Sequence, residues 1–418
     1  MEEPRRAFVP SPPAALYIHV PFCLSVCPYC DFVVYGGAAA RGARSRVDAL
    51  VDGLETEIRL RGMVARDDFG PGWPRLASIY FGGGTPSLLS ARQVERLLEA
   101  AAEGFGLVAD AEVTIEANPG PADRGDLAGF RACGVNRLSI GAQSMVEAEL
   151  RRLGRRHSPS DVARTVAEAR QAGFDNVSLD LLYDVPAQTL ASWRRSLAAA
   201  LRLEPDHVSA YALALDDPDG EGLTGPNGDH LPLRPGARRW RRSARTEQDE
   251  DRAAACYELA DQLLGRAGLG WYELSNWSRP GAESVHNMAY WRRAPHQAVG
   301  PGAHAFDGAF TRRWNAARLD GYLAALSADS LPPGGRETVD EATASAELAI
   351  LNLRTRTGLP ASLASSPALR SALSSARANG LLETTDDSGY RLTMTGRLLS
   401  NEVFARLLPE LAPAVAVA

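Results

Sequence analysis

Short apolar runs alternate along the chain with stretches in which apolar residues recur every three or four positions. Runs at residues 16–20, 76–81, 112–117, 137–140, 177–182 and 207–213 predict strands. Helical spacing follows at 45–63, 91–103, 124–133, 159–172, 189–201 and 250–267. Six βα units in series predict an α/β fold, a parallel sheet with helices outside, open or closed into a barrel. The units span about 250 residues, the usual size of a (β/α) barrel, where the reactive face lies at the carboxyl ends of the strands.

The rhythm breaks twice. Residues 216–249, rich in Gly, Pro, Asp and Arg, read as an insertion or lid loop. From residue 336 onward short helices take over, and residues 380–383 and 389–393 predict a β-hairpin, an ending that resembles a winged helix. The expected organisation is a disordered leader over 1–14, a barrel over 15–310, a linker over 311–335 and a winged-helix-like domain over 336–418. The last of these carries eight Arg against nine Asp and Glu, a poor balance for reading DNA, so a protein-contact role is favoured.

Composition narrows the classes. Hydrophobic residues make up 45% of 418, enough for a large core. A net charge of −6 and a pI near 5.8 speak against a nucleic-acid partner. All 45 basic residues are Arg, which excludes a Schiff-base or P-loop lysine. Five cysteines, three of them crowded together, argue against a disulfide framework and for a reducing compartment. No run of 18 apolar residues predicts a membrane span, and residues 1–13 lack a signal-peptide core, so a cytoplasmic location is expected.

Cys23-x3-Cys27-x2-Cys30 follows the first strand. Three thiolates at this spacing suit one iron each of a 4Fe–4S cube, leaving the fourth iron open. A zinc site normally needs a fourth protein ligand, for which no paired Cys or His motif is present; zinc and a simple trio of free thiols remain the alternatives. Cys133 and Cys256 sit on helical patterns and read as core.

The run Tyr17-Ile-His-Val-Pro-Phe-Cys23-Leu-Ser-Val-Cys27-Pro-Tyr29-Cys30-Asp31-Phe32 resembles the radical S-adenosylmethionine (SAM) signature, and more narrowly the oxygen-independent coproporphyrinogen III oxidase-like family. The resemblance implies a partial (β/α)6 radical-SAM barrel and an open iron chelated by the amino and carboxylate groups of SAM. It also implies an electron donor and counts Tyr17 and Tyr29 among the cofactor-binding residues. Further motifs extend it. Gly83, Gly84 and Thr85 match the loop that holds the SAM amino group, and Glu116, in Glu-Ala-Asn-Pro, a hydrogen-bond acceptor for SAM. Gln143 matches the Gly-x-Gln motif, Arg155 the SAM-carboxylate contact and Asp180 the ribose contact. A single charge of this kind reads equally as a strand-end residue facing water; five at successive strand ends do not. One departure stands out: the family's Tyr-Gly-Leu-Pro is here Tyr183-Asp184-Val185-Pro186, which puts that turn's backbone in question.

The family holds both a porphyrinogen-oxidising enzyme and a heme chaperone, so enzymatic activity is left open. The enzyme type adds a cysteine where this chain has Phe32, and a longer segment before the cluster than the 22 residues ahead of Cys23. His286-Asn287-x-x-Tyr290-Trp291 resembles the chaperone branch, as do Tyr272-Glu273, Asn276-Trp277 and Gly300-Pro301-Gly302-Ala-His304. The resemblance therefore implies a chaperone that binds heme and delivers it to acceptor proteins, with a porphyrinogen oxidase as the second reading. His286 is the expected axial ligand, Tyr290 and Trp291 packing on the macrocycle, with His304 and His207 as lesser candidates. The bland reading makes His286 a core histidine capping a loop. Arg238, Arg239, Arg241 and Arg242 around Trp240 suit propionates or an anionic membrane surface, or simply a solvated loop. A peripheral membrane contact and a homodimer are both compatible with the chain.

Overall fold

Alternation of period two along six strands decides the architecture. They are β1 (Ala15–Val20), β2 (Leu76–Gly83), β3 (Leu107–Ala117), β4 (Arg137–Gln143), β5 (Asn176–Tyr183) and β6 (His207–Ala212). One set of positions is apolar and fully buried: Leu16 and Ile18, Ile79 and Phe81, Ile115, Leu138 and Ile140, Val177 and Leu179, Val208. These join helix residues such as Leu54, Leu97, Val162, Trp193 and Ala260 in one core. The alternate set is polar: Tyr80, Glu116, Arg137, Ser139, Asp180, Ser209 and Tyr211 line a cavity on the other face. The sheet is thus dry on its helix side and polar on its inner side.

The structure, a computed structural model, describes residues 8–408 apart from positions 44, 71, 74 and 365. Strands β1 to β6 pair in parallel and in order. A seventh parallel strand, His296–Val299, lies on the free edge of β1. Beyond it His304–Phe306, Thr311–Asn315 and Gly334–Thr338 add antiparallel strands, and Asn276–Ser278 and Gly270–Glu273 do so beyond β6. The twelve strands run in linear order, so the sheet is a partial barrel rather than a closed one. Helices start where the sequence offers caps: Ser90 with Gln93, Ser158 with Asp161 and Thr189 with Ser192 form reciprocal capping boxes.

Three expectations need correction. Residues 311–335 are not a linker, because Thr311–Asn315 is a sheet strand and helix Leu319–Ser327 packs with Leu323 and Leu326 against Gly53 of helix Val47–Phe69. The leader is tied down from residue 8: Ser11 N donates to Asp307 O at 3.0 Å, and the Phe8 ring meets Phe310 at 5.5 Å. The expected disorder of residues 1–7 lies outside the described residues. The Arg-rich insertion contains a helix, Pro235–Arg245, rather than loop alone.

After the sheet, helices Glu341–Leu353 and Pro367–Ala378 and the hairpin Leu382–Thr384/Tyr390–Leu392 gather around a second core with Leu353, Leu373, Leu392 and Val403. Among the described residues no helix is long and apolar enough to cross a membrane.

Candidate functional site

The carboxyl ends of β1 to β6 surround the mouth of a cavity of about 420 Å³. Its rim carries Cys23, Cys27 and Cys30 on the loop after β1. Cys23 Sγ accepts from Thr85 Oγ1 at 3.4 Å, and Cys27 Sγ from Arg155 at 3.6 Å. Burial pushes the thiols of Cys23 and Cys30 up, to about 11 and about 12. Iron binds the thiolate, so a cluster would offset that burial cost.

The glycine turn after β2 presses against the cysteine loop. A Cβ on Gly84 would stand 2.7 Å from Phe22 O, and one on Gly83, where φ is +111°, would strike the His19 ring. The gain is a backbone N–H turned inward: Gly83 N donates to Glu116 Oε2 at 3.1 Å. Tyr80 donates to the other oxygen at 2.9 Å. Burial, then the nearby Asp180 carboxylate, raise the Glu116 carboxyl to about 7. Asp180 accepts from Ser139 at 3.1 Å, and burial raises its carboxyl too.

Arg155 enters from the loop after β4. Its guanidinium donates to Gly141 O at 2.9 Å and to Asn118 Oδ1, while Asn118 donates to Thr85 at 2.9 Å. Thr85, Asn118 and Arg155 thus link two thiols to the ends of β2, β3 and β4. Arg155 Nε is buried without a partner, a donor left over for a ligand. Gln143 holds φ of 62° and lines the mouth, as do Tyr29 and Asn287.

Other expected site residues fall elsewhere. Tyr17 is not at the mouth; its hydroxyl meets His19 Nδ1 at 3.0 Å, and it lines a neighbouring cavity. His286 is 1% exposed. Its Nδ1 pairs with Ser78 Oγ at 3.0 Å and its Nε2 with Tyr290 OH at 2.9 Å, so neither nitrogen is free for iron. The geometry therefore favours the core-histidine reading. His207 is equally engaged, by Ser178 and Tyr272 at 2.8 Å each. Trp291 packs under the Arg354 guanidinium, 4.4 Å from ring centre to cation. Asp184 adopts a left-handed backbone, φ 55°, a conformation that glycine takes without strain. Arg252 holds its carboxylate, which answers the doubt about that turn.

Arg241, expected at propionates, an anionic surface or a solvated loop, instead turns inward. Its guanidinium, 4% exposed, donates to the carbonyls of Pro28, Tyr29 and Cys30 at 3.3, 3.0 and 2.9 Å and pairs with Asp31. It pins the cysteine loop from the far side of the insertion.

A comparison with known proteins fits this geometry. The Radical SAM superfamily matches residues 17–200. The protein named heme chaperone HemW from Mycobacterium tuberculosis is 38% identical over 410 residues, covering 98% of each chain. The chain belongs to the HemW family of radical SAM proteins. HemW of Bacillus subtilis is 31% identical over 94% of this chain and 99% of its own. Among solved structures, coproporphyrinogen III oxidase (HemN) from Escherichia coli superposes with a TM-score of 0.77 over 97% of this chain and 92% of its own. At 22% identity that likeness establishes the fold alone. Radical SAM membership implies a 4Fe–4S cluster and SAM. The site residues of this HemW-family chain fit the pair: three thiols without a fourth at the mouth, and a buried guanidinium with an unused donor. Among the described residues no group of three or more His, Cys, Asp or Glu side chains is gathered closely enough to hold a single metal ion.

Proposed function

We propose that the chain is a heme chaperone that binds heme, carries a SAM-ligated 4Fe–4S cluster and delivers heme to acceptor proteins. The observation that carries this reading is the length of the match to proteins named heme chaperone, 98% of both chains. It runs through the helix at 285–291, the antiparallel edge and the C-terminal unit, well beyond residues 17–200. Phe32, 62% exposed beside the cysteine loop, supports it, since a cysteine there belongs to the oxidase type.

In this reading Cys23, Cys27 and Cys30 each hold one iron. Arg155 would meet the SAM carboxylate through Nε, the donor that its bonds to Gly141, Asn118 and Cys27 leave unpaired. The Gly83-Gly84-Thr85 turn and Glu116 receive the amino group, Gln143 adds a group that both donates and accepts, and Asp180 takes the ribose. Glu116, raised to about 7, titrates near neutrality, so a cationic ammonium beside it would favour its charged form. The cluster, when bound, supplies one-electron chemistry, and its supply requires an electron donor. Arg241 and His19, the latter bonded to Val33 O at 2.9 Å, keep the loop in place.

The test is uptake and release. The purified full chain is titrated with hemin, then the loaded protein is immobilised and exposed to apomyoglobin as a probe acceptor. Binding of about one hemin per chain with a Soret band, followed by transfer, is expected. A chain that takes up no hemin overturns the proposal.

A further inference from the structure

A second cavity lies away from the cysteine mouth, between the antiparallel edge of the sheet and helix Glu341–Leu353. It measures about 310 Å³ and is lined by Tyr290, His296, His304, Phe306, Ile350 and Leu351 among others. An adjoining cavity of about 270 Å³ shares Tyr290, His296 and His304 and reaches Asp31 and Phe32 beside the cysteines. The two form a groove with an aromatic and aliphatic lining and a few polar groups, the usual make-up of a site for a large apolar ligand.

The chemistry within it is specific. His296 Nδ1 lies 3.1 Å from Ala294 O. A carbonyl only accepts, so the proton sits on Nδ1 and Nε2 keeps its lone pair. Among the described residues the ring's hydrogen bond is the one through Nδ1, and Nε2 has no protein partner. Burial lowers the imidazolium to about 4, with Arg313 and His304 adding to it, so the ring is neutral at physiological pH. A neutral imidazole with one nitrogen fixed by a carbonyl and the other free is the usual form of a metal-bound histidine. Nearby histidines lack that freedom or that setting: His230, part-exposed, meets the Asp229 carboxylate through Nδ1 at 3.0 Å, and that bond favours its charged form. His19 and His286 have both nitrogens engaged, and His304, exposed at the rim, commits Nε2 to Asp229 at 2.8 Å.

The walls hold the ring in place. Tyr290 packs edge-on against His296 at 4.7 Å, and its hydroxyl is held by His286. Phe306 stands 6.1 Å away on the other side. Two guanidinium groups, Arg293 and Arg312, line the same wall and share Glu347, and Arg312 also reaches Glu337. Arg312 is partly exposed, so the groove's wall carries a cluster of two guanidinium and two carboxylate groups that reaches solvent.

We propose that heme binds in this groove with His296 Nε2 as an axial ligand to the iron, and that His286 acts as a positioning residue by holding Tyr290. The inference rests on the chaperone reading and assigns its binding site.

The test titrates the full chain and His296→Ala with hemin and, separately, with metal-free protoporphyrin IX. Wild type is expected to bind both. His296→Ala is expected to bind hemin about tenfold more weakly with a displaced Soret band, keep its protoporphyrin affinity within about twofold, and recover the wild-type spectrum on adding free imidazole. A His296→Ala protein with unchanged hemin affinity and spectrum overturns the assignment and leaves the chaperone reading standing. Equal loss of both ligands without imidazole rescue also overturns it. Absence of hemin binding by wild type defeats the chaperone reading itself.

Discussion

Arg241 holds three carbonyls and one carboxylate of the cysteine loop from a helix more than 200 positions away in sequence. Its removal leaves those carbonyls facing a buried gap, a cost of about 3 kcal/mol. Arg241→Ala should lower the melting temperature and the iron content after reconstitution, while the exposed Arg239→Ala should change stability by no more than about 0.5 kcal/mol. Calorimetry and iron analysis of the two variants check this. No spacing rule in the sequence separates Arg241 from Arg238, Arg239 and Arg242, since only tertiary folding decides which guanidinium turns inward. The cysteines, Arg155 and Asp180 were legible because their chemistry is packed into short motifs at strand ends. Glu116 offers a pH test. Its folded carboxyl titrates near 7 against 4.5 for an unburied one, so the native state holds an extra proton between those values. Stability therefore falls as pH rises through that window, by up to about 3 kcal/mol for the full shift. In protein free of cluster and SAM, denaturation of Glu116→Gln beside wild type should show a shallower slope in the variant, with the share of Glu273, also raised to about 7 by burial, remaining in both.

At the scale of elements, the turn after β5 illustrates how one family glycine was replaced. Asp184 in a left-handed conformation costs about 1 kcal/mol, and Arg252 at the start of helix Glu250–Arg266 offsets it by pairing with the carboxylate. Breaking the pair from the Arg252 side strands a buried carboxylate. Breaking it from the other side relieves the backbone and leaves a guanidinium that reaches water. Arg252→Ala should thus cost about 3 kcal/mol and Asp184→Gly no more than about 1 kcal/mol, as read by urea unfolding. The six βα units were legible because each strand buries an unbroken apolar set. The strands at 270–273, 276–278, 304–306 and 311–315 were not, as three to five residues carry too few alternations to stand out. Helix Val285–Trp291 shows how a motif and its packing can point different ways. A histidine beside Asn, Tyr and Trp reads as a ligand, but in the fold its ring closes a hydrogen-bonded chain from Ser78 to Tyr290.

For the whole molecule, the C-terminal unit is docked rather than merely attached. Arg397 pairs with both oxygens of Asp261 at 3.0 and 3.1 Å and lies over Trp271 at 4.3 Å. Arg397→Ala should loosen that docking by about 2 kcal/mol and speed proteolytic release of the C-terminal unit, followed by mass spectrometry. The same unit supplies Ile350 and Leu351 to the histidine groove, which lies on the same sheet as the cysteine mouth. In the proposed function this radical SAM scaffold serves heme rather than porphyrinogen oxidation. The most direct measurement incubates the anaerobically reconstituted protein, with SAM and a reductant, in parallel with hemin and with coproporphyrinogen III. Stoichiometric hemin binding and no loss of coproporphyrinogen are expected; conversion of coproporphyrinogen with release of carbon dioxide would contradict the chaperone function.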